Sequence, residues 1–309
     1  MTSSPLFSVI ICTYNPRLDY LGRVLVNVGA QTLARDQWEV ILVDNRSEPP
    51  VEGRLETATF RPDKVVREET AGLVAARSRG LSASCGKWLV FVDDDNVLKE
   101  DYLEELQRLI AAHPHVAMWL AEIRPEFETQ PPEEFRMYWP FLAIREVTRT
   151  QWSNIPVKEL LGCGAGMAVK REVMEKWTNE IKADPLRAHL GRKQDSLLAA
   201  EDTDIGYTAC DMGLGVGESK GLQVTHLIPP RRLKPSYLRK IVYSVSYSHA
   251  FLDLVRQRVA FLGLCLKIVL AGRDFWSSRR HKNGAILWWF QVRGTVAAWR
   301  DFQTRSKAC

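Results

Sequence analysis

The chain of 309 residues is long enough for one sizeable α/β core with an appendage, or for two small domains. Its 46% hydrophobic and 26% charged residues are ordinary for a soluble globular protein and exclude a disordered or fibrous chain. The formal charge of +5 is unevenly distributed along the chain. Residues 231–309 contain 16 Lys/Arg and 3 Asp/Glu, whereas residues 1–230 contain 26 Lys/Arg and 34 Asp/Glu. This asymmetry favours chemistry in an acidic body and contact with an anionic partner in the basic part.

The cysteines and the N-terminal residues bear on the cellular compartment. No Cys-x-x-Cys pair occurs among the six cysteines, so neither a zinc ribbon nor a dithiol motif is predicted. Scattered cysteines among apolar residues are typical of a reduced cytosol. The N-terminal residues lack a basic region followed by an apolar one, so we expect no signal peptide.

Three short apolar runs near the start of the chain predict buried strands, each followed by a segment with helical spacing. The predicted strands are 7–14, 40–44 and 88–92, and the predicted helices are 18–32, 72–84 and 101–112. Strands that alternate with helices indicate a parallel sheet with right-handed crossovers. The near-continuous apolar character of the strands indicates that helices cover both faces of the sheet.

Beyond about residue 115 the alternation fades. The pattern predicts an irregular excursion over 125–140, a glycine loop and short apolar run over 160–169, a helix over 199–210, and helices from Tyr237 onward with breaks near Gly272 and Gly284. We therefore expect an α/β domain over residues 1–230 and a basic, tryptophan-containing helical extension over residues 231–309.

Polar residues follow all three predicted strands. They are Thr13-Tyr14-Asn15, Asp44-Asn45 and Asp93-Asp94-Asp95. Ligands of open parallel sheets bind at the carboxyl ends of the strands, so these residues are expected to line one edge. No Gly-x-Gly-x-x-Gly follows the first strand, which disfavours a dinucleotide site, and no phosphate-binding loop with Gly-Lys-Ser/Thr occurs.

The aspartate triplet is a candidate metal and ribose site. Residues i and i+2 at a strand end point the same way, so Asp93 and Asp95 would share a face. Carboxylate oxygens suit Mg²⁺ or Mn²⁺. The alternative is a solvated acidic turn that caps the next helix.

Four further candidates each have a structural alternative. Asp44 could accept hydrogen bonds from a ribose or a base, or simply form a turn. Arg77 could neutralise a phosphate or orient Asp93, or be a charge on the helix surface. Asp202 could deprotonate an acceptor hydroxyl, or only interact with the dipole of its helix. His226 could be a further metal ligand, or a structural histidine.

In this order, the segments resemble family 2 glycosyltransferases of the GT-A fold. The motifs are SVIICTYN at 8–15, ILVDNRS at 41–47, GLVAARSRG at 72–80, FVDDDN at 91–96, GCGAGM at 162–167 and EDTD at 201–204. The likeness covers about residues 7–230. It implies a GT-A-like, Rossmann-type, mostly parallel sheet flanked by helices, with a C-terminal helical extension.

The resemblance also implies an inverting transfer from a UDP-, GDP- or dTDP-linked sugar, with Mg²⁺ or Mn²⁺. On that likeness, the nucleotide-binding residues would be Thr13, Tyr14, Asp44, Arg77 and Asp93. The metal ligands would be Asp95 and His226, and the catalytic base would be Asp202. The donor and acceptor loop would comprise Gly164, Ala165, Gly166 and Glu201.

One base and one metal suit direct displacement with inversion, because the metal offsets the charge of the leaving diphosphate and one carboxylate deprotonates the acceptor. A retaining mechanism would need a second, nucleophilic carboxylate, for which Glu201 is the adjacent candidate. The Gln-x-x-Arg-Trp motif of processive polysaccharide synthases is absent. We therefore expect single-sugar transfer, in bacterial surface polysaccharide or glycolipid assembly.

The basic C-terminal part predicts contact with an anionic membrane surface. Arginines and lysines surround its tryptophans, which are Trp276, Trp288, Trp289 and Trp299. The apolar run 259–272 is interrupted by Lys267 and is shorter than a spanning helix. We expect a cytoplasmic protein at the inner face of the plasma membrane with a glycan or lipid-linked acceptor. The alternative is a helical pair packed on the catalytic domain or on a second subunit.

Two other functions remain open at this point. A nucleotidyltransferase would need a glycine-rich, basic triphosphate loop after the first strand, and the segment Cys12-Thr-Tyr-Asn-Pro16 is not one. A catalytically inactive sugar- or lipid-binding module would tolerate Asp202→Asn without loss of function. Nucleic acid is not an expected partner, because the body is acidic and no nucleic-acid motif occurs.

Overall fold

The computed structural model describes residues 4–55, 59–188, 190–191, 197–257, 263 and 282–306. These residues form two compact units. The first lies within Met1–Glu126, Ala143–Glu180 and Asp202–Ile228, and the second lies within Phe127–Leu142, Ile181–Glu201 and Pro229–Cys309. The domain boundary at residue 230 stays a prediction, as do its functional assignments. The predictions for Lys267, Gly272 and Trp276 lie outside the described residues.

One mixed sheet contains the strands that the described residues form. They are β1 (Phe7–Thr13), β2 (Trp38–Asp44), β3 (Lys64–Arg67), β4 (Trp88–Asp93), β5 (Asn96–Leu98), β6 (Val116–Phe127), β7 (Gln151–Ser153), β8 (Met167–Lys170) and β9 (Gly215–Ile228). The order across the sheet is β3-β2-β1-β4-β8-β6-β9-β5, and β7 pairs with β9.

The helices over residues 18–29, 73–83, 102–112 and 201–211 lie close to the predicted positions, whereas those over 171–183 and 185–188 were not predicted. In chain order, the helices are α1 (Leu18–Gly29), α2 (Leu73–Ala83), α3 (Tyr102–Ala112), α4 (Arg171–Ala183), α5 (Pro185–Ala188), α6 (Glu201–Asp211), α7 (Pro235–Val255) and α8 (Lys282–Arg305). The predicted irregular excursion contains the end of β6 and a run of 3₁₀ turns over Glu133–Leu142.

The parallel part of the sheet is the part that the sequence predicts. β2 and β4 both pair with β1 in parallel, and β3 continues in parallel from β2. The side chains of β1, β2 and β4 are almost entirely buried, whereas those of β3 at the edge of the sheet are exposed or partly exposed. Gly80 of α2 allows close packing because a Cβ there would lie 2.4 Å from Ile10 Cγ2. The α/β class with helices flanking the sheet is thus confirmed.

The other pairings run antiparallel and were not predicted from the sequence. β8 runs antiparallel to β4, so that Met167 faces Phe91, and β9 runs antiparallel to β5, so that His226 faces Asn96. A strand that runs antiparallel begins at the edge where its parallel neighbours end. The loop before β8 therefore lies beside the carboxyl end of β4.

The second unit is built around α7 and α8. Gly294 permits a close crossing, since a Cβ there would lie 2.5 Å from the carbonyl oxygen of Tyr243. The Phe251 ring stacks on Tyr247 at 5.7 Å and meets Phe302 edge-on at 6.1 Å, and the Tyr247 hydroxyl donates to Asp301. Among the described residues, no helix is both long and apolar enough to cross a bilayer.

Candidate active site

The predicted strand ends meet at one edge of the sheet. Thr13 at the end of β1 faces Asp44 on β2, and the preceding Cys12 faces Asp93 on β4. The Thr13 hydroxyl donates to the carboxylate of Asp94. The middle aspartate of the triplet is thus held by β1, which distinguishes it from Asp93 and Asp95.

Asp44 organises the loop that follows β2. Its buried carboxylate accepts hydrogen bonds from Ser47 N at 2.8 Å, Val51 N at 3.0 Å and Arg67 Nη1 at 3.1 Å. Burial alone would raise the pKa of Asp44, but the hydrogen bonds and the positive charge of Arg67 outweigh it and hold the pKa below its ordinary value. The hydrogen bond from Ser47 N closes a turn, which is the structural role that the sequence analysis gave as the alternative for Asp44.

Tyr14 lies on the loop after β1 with 49% of its surface exposed. The next residue, Asn15, ties this loop to the one after β2. The Asn15 N–H donates to Ser47 Oγ at 2.9 Å, and Asn15 Oδ1 accepts from Glu48 N at 2.8 Å. These two hydrogen bonds of Asn15 fix the loop that carries Tyr14, whose exposed ring is open to a planar ligand.

Asn45 joins the end of β2 to the start of α2. Its amide nitrogen donates to the carbonyl oxygens of Glu68 at 3.1 Å and Thr70 at 2.7 Å, and its oxygen accepts from Gly72 N at 2.8 Å. Sequence reasoning missed the bracing roles of Asn45 and Arg67. The only sequence signal for Asn45 was a polar side chain directly after a buried strand.

Arg77 is buried beneath the edge of the sheet. Its guanidinium lies 5.3 Å from the centroid of Phe91, and a Cβ on Gly164 would lie 2.3 Å from Arg77 Nη2. Burial raises the pKa of the Cys12 thiol to about 12, and the Arg77 charge counteracts it. Arg77 is therefore not a helix-surface charge, and it connects the end of β1 with the glycine loop.

The glycine loop before β8 follows a tightly constrained path. Gly162, Cys163 and Gly166 all have positive φ, at +86°, +72° and +67°. The buried Tyr102 hydroxyl donates to the carbonyl oxygen of Gly166, where a Cβ would lie 2.5 Å from Val224 Cγ2. Glycine avoids the backbone strain that an L side chain meets at such angles. Gly164, Ala165 and Gly166 are all buried.

Cys163 senses the charge of carboxylates from distant segments. The pKa of its thiol is raised to about 12, chiefly by burial, with the charges of Asp202 and Asp93 also raising it and that of Arg145 lowering it. The glycine loop therefore lies within electrostatic reach of both Asp93 at the end of β4 and Asp202 at the start of α6.

The acidic start of α6 presents one accessible carboxylate. Glu201 is buried and accepts a hydrogen bond from Ala200 N at 3.1 Å, while Asp204 is buried and accepts from Trp177 Nε1 at 2.8 Å. Asp202 is partly exposed, and one of its oxygens accepts from Thr203 N at 2.6 Å. Asp202 is thus the member of this segment that can meet a ligand.

Asp95 and His226 form a buried pair with 8% and 3% of their surfaces exposed. His226 Nε2 lies 3.7 Å from Asp95 Oδ2, and Asn96 Nδ2 donates to Asp95 Oδ1 at 2.7 Å. The buried Asn96 Oδ1 has no hydrogen-bond partner among the described residues. One imidazole nitrogen, one carboxylate and this oxygen suit a divalent cation.

No group of three or more His, Cys, Asp or Glu side chains in the described ranges is arranged to hold a metal. A cation beside Asp95 and His226 would therefore have two of these side chains as ligands, with substrate oxygens or waters completing its coordination. This pattern is common for Mg²⁺ in phosphate-binding sites. The residues present fit such an ion.

Comparison with known proteins identifies relatives of part of the chain. Residues 8–178 match the family model described as glycosyl transferase family 2. The putative teichuronic acid biosynthesis glycosyltransferase TuaG of Bacillus subtilis is 35% identical over 104 residues, which is 33% of this chain and 40% of that protein. Glycosyltransferase AglE of Haloferax volcanii is 33% identical over 108 residues, which is 34% of this chain and 35% of that protein.

The chain spans less than half the length of the curated relatives it matches, with shares from 13% to 40% of their own length. Among solved structures, the crystal structure of GalNAc-T7 with UDP, GalNAc and Mn²⁺ has a similar fold. It superposes with a TM-score of 0.52 at 18% identity over 81% of this chain and 50% of that chain. This likeness confirms the predicted GT-A-like fold.

Proposed function

The chain belongs to glycosyl transferase family 2, and we propose that it moves one sugar from a nucleoside diphosphate to a hydroxyl acceptor with inversion. The observation that carries the proposal is that Asp93 at the end of β4 and Asp202 at the start of α6 both lie within electrostatic reach of the glycine loop at Cys163. A direct displacement needs charge stabilisation on the donor side and one base on the acceptor side. Asp202 suits the base, whereas Asp93 lies two residues before Asp95, through which a divalent cation would offset the charge on the donor side.

The nucleotide lies along the edge formed by β1, β2 and β4. Tyr14 offers an exposed ring on which a base stacks, and Asp44, together with Thr13, shapes the base and ribose pocket. Asp93 accepts hydrogen bonds from ribose hydroxyls. The buried cation of Arg77 offsets the negative charge that the diphosphate and the aspartates bring to this edge.

Asp95 and His226 would hold Mg²⁺ or Mn²⁺. An ion held there would supply positive charge that stabilises the leaving diphosphate. The proximity of Asp95 Oδ2 and His226 Nε2, 3.7 Å apart, supports this assignment. Asn96 orients the Asp95 carboxylate through the hydrogen bond to Oδ1. GalNAc-T7 was crystallised with UDP and Mn²⁺, which supports the same pairing of nucleotide and metal.

Asp202 is the general base. It takes the proton of the acceptor hydroxyl while the oxygen attacks the anomeric carbon, and the bond from that carbon to the diphosphate oxygen breaks on the opposite face. The buried Glu201, which accepts a hydrogen bond from Ala200, does not suit the nucleophile of a retaining mechanism. The name of TuaG supports an acceptor in surface polysaccharide assembly.

The experiment that tests this proposal is a thermal-shift screen of the protein with UDP, GDP and dTDP, each with and without Mn²⁺ or Mg²⁺. A ligand that binds the native state raises the melting temperature according to its concentration relative to Kd. We expect one nucleotide to stabilise the protein more strongly with the metal than without it. Asp95→Asn should remove the metal-dependent part, whereas the exposed Asp36→Asn should not. The absence of a metal-dependent shift with all three nucleotides contradicts the proposal.

We also propose that α8 brings the protein to an anionic membrane surface on the cytoplasmic side. Ile286, Trp289, Arg293 and Arg300 are exposed, Trp289 at 54%, and their spacing places them along one face of the helix. Trp289, Arg293 and Arg300 also line an open groove of about 580 Å³ between α7 and α8. Tryptophan and arginine on one helical face suit the headgroup region of anionic lipids.

A further inference from the structure

Arg145 joins the segment before the glycine loop to β9. Its Nη2 donates to the carbonyl oxygen of Glu159, and its Nη1 donates to that of Gly162 at 3.2 Å. Nε and Nη2 both donate to Glu218 Oε2, at 3.0 and 2.7 Å. The guanidinium fork thus bonds two backbone carbonyls and one carboxylate at once, a geometry that a lysine ammonium does not reproduce.

The surroundings hold Arg145 in a fixed place. Its backbone forms two hydrogen bonds with Ile123 of β6, at 2.9 and 3.1 Å. Glu218 in turn accepts a hydrogen bond from Gln151 Nε2 of β7 at 2.7 Å. The side chains of Arg145 and Glu218 are 15% and 9% exposed, so this is not a surface ion pair of the weak, screened kind.

The loop that Arg145 holds has an unusual backbone. Cys163 is a non-glycine residue with a φ of +72°, directly after Gly162 at +86°. L side chains rarely adopt such angles, and these persist only where the surroundings impose them. Arg145 bonds the carbonyl oxygen immediately before Cys163, while Tyr102 bonds that of Gly166 beyond it.

We propose that Arg145 is a positioning residue, which with Glu218 sets the place of the glycine loop beside the carboxyl end of β4. The loop packs on Arg77 at Gly164 and lies within electrostatic reach of Asp93 and Asp202, so its displacement changes the space where donor and acceptor meet. The expected effect on turnover rests on the proposed function. The position of the loop depends only on the contacts of Arg145 and can be tested without any activity.

Alkylation of cysteines by iodoacetamide, read out by mass spectrometry, tests the positional claim. Cys163 and Cys12 are partly exposed, but burial raises the pKa of both thiols to about 12 and slows their alkylation, whereas Cys85 is exposed. In Arg145→Gln, we expect Cys163 to react at least about tenfold faster through local opening of the loop, with Cys12 and Cys85 unchanged. An unchanged Cys163 rate, or an equal rise at Cys12 and Cys163, overturns the proposal.

A second variant guards against failure to fold. Arg145→Gln leaves Glu218 buried without its cation, which destabilises the native state. The double variant Arg145→Gln/Glu218→Gln removes both charges and should still expose Cys163. Glu218→Gln alone keeps both carbonyl contacts of Arg145 and should expose Cys163 less than the double variant does. Arg124→Gln, which breaks the ion pair between an exposed arginine and the buried Glu122, is the matched control and should leave Cys163 protected.

Turnover provides the functional readout. In the double variant, we expect kcat for sugar transfer to fall about tenfold or more through misplacement of the reacting groups, while Kd for the nucleotide with Mn²⁺ stays within about twofold. Arg145→Lys should not restore kcat, since it lacks the fork. Equal losses in nucleotide affinity and in kcat contradict a positioning role. A protein that binds no nucleotide refutes the proposed function, but the labelling result stands separately.

Discussion

His226 lies opposite Asn96 across β5 and β9, which brings its Nε2 to 3.7 Å from the carboxylate of Asp95. The two residues belong to distant segments of the chain, and the antiparallel register of two strands joins them. Both are buried at the edge where the polar strand ends meet.

Replacement of this histidine tests the metal site. In His226→Ala, we expect the extra thermal stabilisation that Mn²⁺ adds to nucleotide binding to disappear, because one of the proposed protein ligands is lost. Stabilisation by nucleotide without metal should remain. Titration calorimetry of nucleotide with and without Mn²⁺ measures both. A variant that keeps the full metal effect shows that His226 is not a ligand.

Asp202→Asn separates chemistry from binding. An amide cannot accept the proton of the acceptor, so we expect turnover to fall by roughly 10²- to 10⁴-fold with unchanged nucleotide affinity. Asp211→Asn is the control, since Asp211 lies at the exposed other end of the same helix. Nucleotide release in the presence of acceptor measures turnover. Equal turnover in the two variants would favour an inactive binding module.

Gly164→Ala tests the contact between the glycine loop and Arg77. The added Cβ would lie 2.3 Å from Arg77 Nη2, so the buried guanidinium must move from its place above Phe91. We expect turnover to fall about tenfold or more, because reacting groups lose their alignment. Gly22→Ala is the matched control on α1, since no atom lies within 4 Å of its added Cβ. It should keep full activity and gain up to about 1 kcal/mol of stability.

The buried carboxylate of Asp44 predicts a pH dependence of stability. Its pKa is lower in the folded state than in the unfolded state, so its contribution is present above the unfolded value of about 4 and is lost as the pH falls through the folded value. In Asp44→Asn, the melting temperature should decline less steeply between about pH 5 and pH 3. The exposed Glu52→Gln should follow the parent curve. Parallel curves for Asp44→Asn and the parent would exclude this contribution.

Trp289→Ala/Arg293→Glu tests the membrane contact of α8. It removes an exposed ring and reverses one charge on the same helical face, so flotation with anionic liposomes should fall about tenfold or more. Trp152→Ala removes another exposed tryptophan from the first unit and should leave flotation unchanged. Equal binding of the parent to neutral vesicles would remove the electrostatic basis of this proposal.

Much of the polar edge of the sheet was predictable because its signals are local. Buried β-branched runs predicted β1, β2 and β4, and a polar residue directly after each run predicted the side chains at the rim. Thr13, Asp44 and Asp93 follow from these two patterns without any knowledge of distant contacts.

Contacts between distant segments left no such signal. Hydrogen bonds and ion pairs join segments that no periodicity in the sequence relates. Examples are the contacts of Arg67 with Asp44, of Asn45 with Gly72, and of Arg145 with Glu218. Short strands such as β5 and β7, with three residues each, are too brief for a period of two to be read.

The amino-acid sequence by itself determined the parallel half of the sheet, its polar edge and the residue types placed there, because strand burial and strand ends are properties of neighbouring residues. Only the tertiary structure decided that β8 and β9 run antiparallel. That direction places the glycine loop beside Asp93 and His226 beside Asp95, since the pairing of strands is decided by packing over the whole core.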